Sequence, residues 1–230
     1  MGYIALLGCV FFAAFPFTFN TGLQYTNASR GALLLASMPM WSAWLARRVV
    51  GERLSRQQAT GVALTVIGIG GVLSERGLAV MDSRLGLVGD LLLLATALLG
   101  AVYGVLAPRA LAKHGPLTVT AYAMMFGTLL LTVVAIPEGL AAALPRLLDP
   151  ALLAVVVFLG IPGGAIGFAL WTIALSHLSP TQVAVYVNVN PLVATLLGAV
   201  LLHERLTAVF FAGFAAVATG VFMVNRRSAQ

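Results

Sequence analysis

Few residues in this chain can do chemistry, and their spacing decides which kind. Seven acids, three histidines and one cysteine are spread over 230 residues. His114, His177 and His203 are far apart, and none of their spacings is that of a zinc site. No two acids share an apolar run, and a Gly-x-Ser-x-Gly nucleophile elbow is absent. The single Cys9 excludes an intramolecular disulfide and an all-cysteine metal site. "GIPGGAIG", from Gly160, has no Lys-Ser/Thr after it and no strand before it, so it is no phosphate loop. It reads instead as a small-residue stripe for helix packing. The sequence thus gives an enzyme little support, and no metal or cofactor is expected.

What remains is a set of polar groups inside apolar runs. Tyr186, Asn188 and Asn190 precede Pro191. An amide held away from water costs free energy until it finds a partner. These three are candidate ligands for a carboxylate or amine of a solute, Tyr186 and Asn190 ahead of Asn188; the competing role is an interhelical hydrogen bond of about 0.6 kcal/mol. Trp41, Tyr103 and Trp171 are candidates to wall an amphipathic cavity, with bulk packing or an interfacial belt as the alternative. Pro39 and Pro191 each remove a helix donor, which frees the carbonyls of Leu35 and Val187 and bends the chain. Asp90 is placed to enter the membrane about one turn into its helix. It is either a proton-coupling acid or a partner of the helix dipole. Glu52-Arg53 and Glu204-Arg205 sit in short separators and read as structural loop residues. There Ser55 caps the next helix and Gln58, three residues on, completes a capping box.

The elements that position these groups follow from composition. The chain is 60% hydrophobic and only 9% charged, too few charges for a water-facing surface. Apolar runs of roughly 20 residues span a bilayer. Eight such runs are read, at about 3–26, 30–50, 56–74, 86–108, 116–138, 151–176, 180–202 and 207–225. Each is expected to be a helix, because a helix satisfies its own backbone in lipid and the runs do not alternate as barrel strands do. The net charge of +6 is carried by short clusters between the runs, which argues against nucleic acid as a partner. With both termini cytoplasmic, eight Lys and Arg lie inside and five outside, so this orientation has the expected sign. The N-terminal run has no basic residue ahead of it and is read as a true span, not a leader.

A phrase is repeated. Pro39, Glu52, Gly61 and Gly68 recur as Pro191, Glu204, Gly213 and Gly220, each 152 residues later. Between Leu23/Leu175 and Val72/Val224, eleven of fifty aligned pairs are identical, more than biased composition supplies. In the orientation above, the first copy's loop lies inside and the second's outside, so the copies are inverted. Inverted repeats are a signature of secondary transporters that hold a solute near the midplane. Two spans precede the second copy and have no counterpart ahead of the first. The chain therefore reads as eight spans of a ten-span design, either a carrier or a truncated, non-transporting membrane subunit or inactive fragment.

These residues resemble the drug/metabolite transporter superfamily, in its EamA-domain branch. The pattern is a Pro within a span, a Gly-Glu-Arg-Leu-Ser/Thr loop and a Gly-containing span. Pro39, Gly51-Glu52-Arg53-Leu54-Ser55 and Gly61 match it. So do Pro191, Glu204-Arg205-Leu206-Thr207 and Gly213, with His203 in place of the loop Gly. The resemblance implies an incomplete first repeat over 1–75 and a second over 86–226. It implies an all-α, polytopic helical bundle of the cell (inner) membrane, exporting small metabolites such as amino acids by alternating access. The partners expected are a small-molecule solute and the lipid bilayer, with a homodimer left open.

Overall fold

Proline, glycine and charge punctuate the chain into eight helical tracks in the computed structural model, which describes residues 1–26, 28–74, 84–137, 149–201 and 207–225. They are α1 (Gly2–Tyr25), α2 (28–49), α3 (Arg56–Ser74), α4 (Arg84–His114), α5 (Pro116–Ala135), α6 (Pro150–His177), α7 (180–201) and α8 (Ala208–Asn225). No strand occurs among the described residues. Five tracks, α1, α4, α5, α6 and α8, are by themselves long and apolar enough to cross a membrane. α3 opens on the polar Arg56-Gln57-Gln58. α2 and α7 are broken where the sequence places Pro39 and Pro191. α2 is Ala28–Leu35 followed by Met38–Val49. α7 is Pro180–Ala184, a 3₁₀ segment Val185–Val189, then Asn190–Leu201.

Helix boundaries carry the repeat further than residue identities do. Phe15 and Gly167, Ala28 and Pro180, Met38 and Asn190, and Arg56 and Ala208 each begin a helical segment, and each pair is 152 apart. Both first tracks also contain a wide π turn, Cys9–Ala14 in α1 and Leu159–Ile166 in α6. Prolines explain the turns: Pro16 follows the first and Pro162 lies inside the second. The wide turn is closed from five residues on, by Phe15 N–H to the Val10 carbonyl and by Gly167 N–H to the Pro162 carbonyl.

The described chain falls into two compact units that cut across the sequence halves: Met1–Phe17 with Leu106–Leu178, and Thr18–Val105 with Ser179–Gln230. In the second unit α3 and α8 cross through glycines. A Cβ on Gly61 would lie 2.7 Å from the Gly220 carbonyl oxygen, and one on Gly68 would lie 3.0 Å from that of Gly213. The pairing is antiparallel. Gly213 is the repeat equivalent of Gly61, and Gly220 that of Gly68, so each contact maps onto the other. That is the pattern of a two-fold axis. The two copies are therefore inverted, as the sequence leads one to expect. Beside this crossing Ala36, Ile69, Leu192, Phe210 and Val217 form a buried core contributed by α2, α3, α7 and α8.

In the first unit α5 packs on α1. Gly8 abuts the Ala123 backbone and Gly127 abuts Phe12. Phe168 of α6 sets its ring edge-to-face against Phe11 and Phe12, at 5.4 and 5.0 Å. Thr120 and Thr172 share a buried hydrogen bond of 2.6 Å between α5 and α6. Close backbone approach and such polar clasps are how helices hold together where lipid is as apolar as leucine. The small-residue stripe of α6 corrects its sequence reading. Gly160 is the repeat equivalent of Gly8, yet among the described residues nothing lies within 4 Å of its Cβ position, and no residue of 150–166 is buried. Small residues permit a close helix neighbour but do not supply one.

Candidate functional site

The second break, in α7, is built in three steps. Ser179 caps the first turn through a reciprocal box. Its hydroxyl accepts from Gln182 N–H at 3.3 Å, and its own N–H donates to Gln182 Oε1 at 3.0 Å. Pro180 then starts the helix at its first position, where no donor is needed. Five residues later the helix tightens to 3₁₀. The Asn190 N–H donates to the Val187 carbonyl, the group that Pro191 was expected to leave free. So the bend at Pro191 is a tightened turn, not an open carbonyl. In α2 the Ser37 N–H and hydroxyl both reach the Leu34 carbonyl, at 3.1 and 2.6 Å, just ahead of Pro39.

The 3₁₀ segment sorts its polar residues by side. Asn188 is fully buried, and neither polar atom of its side chain has a hydrogen-bond partner among the described residues. Tyr186 and Asn190 are exposed. The three candidates therefore do not converge: one points inward and two outward. Val185, next to Asn188 on the inner side, packs with Val62 and Val224. Helix 38–49 also packs against the 3₁₀ segment. It carries Ser42, 1% exposed, whose hydroxyl is likewise unpartnered among the described residues. Sequence reasoning missed Ser42. A lone polar residue one turn beyond Pro39 was the available signal.

The remaining candidates are placed as follows. Trp41 is half-buried and stacks edge-on to Trp44 at 6.5 Å, with Arg48 over the Trp44 ring at 5.6 Å. Tyr103 is fully buried within α4. Trp171 lies in the other compact unit, with an indole N–H that is buried and unpartnered among the described residues. Asp90 is 8% exposed in the first turns of α4. Ser55 and Gln58 form the reciprocal box that opens α3, at 3.1 and 3.0 Å. Glu52 is half-buried; its carboxylate accepts from Ser179 Oγ at 2.7 Å and from Thr181 Oγ1 at 3.2 Å. Glu204 and Arg205 lie outside the described residues. Among the described residues no three His, Cys, Asp or Glu side chains are grouped to hold a metal.

Inverted helical repeats, broken helices and an unpaired buried amide at one break define a multi-pass membrane protein built as carriers are. The profile of the EamA-like transporter family matches residues 1–74 and 87–226, and the chain belongs to that family. It is 31% identical to an "Uncharacterized transporter" of Archaeoglobus fulgidus over its full length and 77% of that protein. It is also 31% identical to a "Probable terminal-alkyne amino-acid exporter" of Streptantibioticus cattleyicolor, covering 98% of this chain and 73% of that one. A "Probable amino-acid metabolite efflux pump" of Escherichia coli is 24% identical over 92% of this chain and 72% of its own length. The fold matches a solved crystal structure with a TM-score of 0.77 at 20% identity, over 96% of this chain and 75% of that one. The family membership indicates a membrane transporter.

Proposed function

We propose that the protein exports small neutral or zwitterionic metabolites of the amino-acid kind by alternating access, from a site that includes Asn188. The observation that supports it most is the sealed, unpartnered Asn188 amide. It holds one donor group and one acceptor and reaches no water in this conformation. Left unpaired, such a group costs about 1–3 kcal/mol. A solute with an amine and a carboxylate supplies the complement to both its atoms. The two-fold crossing of α3 and α8 supports the mechanism, since equivalent inverted copies can exchange conformations. In this reading the repeats are 1–75 and 86–226, both termini are cytoplasmic and the membrane is the cell's inner one. Exposed Tyr186 and Asn190, with Trp41 and Tyr103 of the same unit, are secondary contacts for the solute. The test is uptake of a labelled amino-acid panel into everted membrane vesicles. Wild type is expected to move at least one member faster than vesicles lacking the protein, and Asn188→Ala to lose that gain. If no member moves faster with wild type, the proposal fails.

A membrane subunit that does not itself transport is the second reading. It is favoured by the uncovered 150–166 segment of α6, whose equivalent in α1 is covered by α5. The same vesicles decide between the two.

A further inference from the structure

The Glu52 carboxylate bridges the two inverted copies. Gly51, at φ +72°, turns the chain out of helix 38–49, a conformation that only glycine adopts without strain. The Glu52 N–H folds back onto the Ala46 carbonyl at 3.1 Å, which fixes where its side chain leaves the loop. The two carboxylate oxygens then divide between two hydroxyls of the first turn of α7. Oε1 accepts a hydrogen bond from Ser179 Oγ at 2.7 Å, and Oε2 one from Thr181 Oγ1 at 3.2 Å. Thr181 is fully buried and the other partners are half-buried, so these bonds are partly screened from water. A glutamine would offer one acceptor oxygen where two hydroxyls need two. Helix 180–184 runs without interruption into the 3₁₀ segment that carries Asn188. Whatever holds its first turn therefore sets the rotation and depth of the amide.

We infer that Glu52 is a positioning residue for transport: it clamps the start of the broken helix α7 to the loop after α2, keeps Asn188 sealed, and must let go for the pathway to open towards the side on which residues 51–55 lie. This rests on the carrier reading above. The clamp itself can be tested without any solute. The background is the full chain with Cys9→Ala, which removes its only cysteine. Ala184→Cys then reports from beside the amide, at a position 1% exposed in the sealed state. A membrane-impermeant maleimide is applied to each face in turn, and Arg53→Cys identifies the face of the loop.

Glu52→Gln keeps the side chain's volume and removes one acceptor. It is expected to speed labelling of the thiol introduced by Ala184→Cys about tenfold from the loop's face and to leave it unchanged from the other, the shift produced by losing one charge-assisted hydrogen bond. Thr181→Val removes a hydroxyl at constant shape. It is expected to do the same, with no further gain in the double variant. If Glu52→Gln labels at the wild-type rate, the clamp is overturned. Equal increases from both faces also overturn it, since that is loosening without direction. If Glu52→Gln fails to accumulate, Thr181→Val carries the test alone. One-sided labelling without export of any solute leaves the clamp standing and removes the carrier reading. Export by wild type with unchanged labelling does the reverse.

Discussion

Replacing Gly220 with alanine tests the two-fold crossing directly. The new methyl carbon would sit 2.6 Å from the Gly61 carbonyl oxygen, 2.6 Å from Thr65 Cγ2 and 3.0 Å from the Thr65 nitrogen. Ordinary contact begins near 3.4 Å, and two of these neighbours are backbone, which cannot rotate aside. α3 and α8 must therefore part by close to an ångström, and overpacking of this kind costs about 1–3 kcal/mol. Gly61→Ala meets the Gly220 carbonyl at 2.7 Å, so it strikes the same contact from the other side. Once the helices have parted for one methyl, the second costs little, and the double variant is expected well short of the sum. Gly70→Ala is the control on α3, because its methyl meets only Leu33 Cδ1 at 3.7 Å. The assay is reversible unfolding in mixed detergent micelles, followed by circular dichroism. A Gly220→Ala protein as stable as wild type, or additive losses in the double variant, would refute the crossing.

Gly8→Leu is expected to destabilise in the same assay by about 2 kcal/mol or more, because the site is filled by the Ala123 backbone, while its repeat equivalent Gly160→Leu loses nothing. Asn188→Leu removes a buried amide with no partner among the described residues, so it is expected to gain about 1 kcal/mol of stability and to lose export in everted vesicles. Thr120→Val and Thr172→Val each break the clasp between α5 and α6. Each is expected to cost roughly 0.6 kcal/mol, and together no more than one of them, by double-mutant unfolding.

Much of this fold is written in its punctuation. Pro39 and Pro191, Gly61 and Gly213, and Gly68 and Gly220 revealed the repeat, since proline and glycine act through the backbone and keep their meaning where side chains diverge. The same logic read the box at Ser55 and Gln58, whose two partners are one turn apart. The identities thin out before Leu23, where the copies share geometry but little sequence. There the common start at Phe15 and Gly167 needed coordinates. The Glu52 bridge was hidden for a different reason. Its partners are 127 and 129 residues away, and a carboxylate beside an arginine in a loop looks like local helix-end chemistry. The stripe at Gly160 was legible as a surface, but its lack of a neighbour was not. Of the candidate solute ligands, the sequence named Asn188 together with Asn190 and Tyr186. It leaned towards Tyr186 and Asn190, the two that turn out exposed, because a 3₁₀ turn sends residues to other sides than an α-helix does.

The copies agree in mechanics and differ in chemistry. Both break at the same register, both open with a π turn, and their third helices cross about one axis. Yet Ala36 stands where the second copy has Asn188, and Met38 where it has Asn190. An apolar residue at a break joins the core, as Ala36 does. An amide there stays unpaired until something arrives. On the proposed carrier reading, a symmetric frame lets two conformations have similar energy, which alternating access requires, while a one-sided site lets a small asymmetric solute be held by one copy as the other moves. The Glu52 clamp fits this division, since it ties the first copy's loop to the helix that carries the second copy's amide. Moving the amide to the other copy is then the sharpest trial of the argument. In Asn188→Ala, Ala36→Asn protein, the frame is expected to persist with near-wild-type unfolding. On the proposed reading, export of the original solute is expected to fall, because Glu52 would still be clamping the helix that no longer carries the proposed ligand.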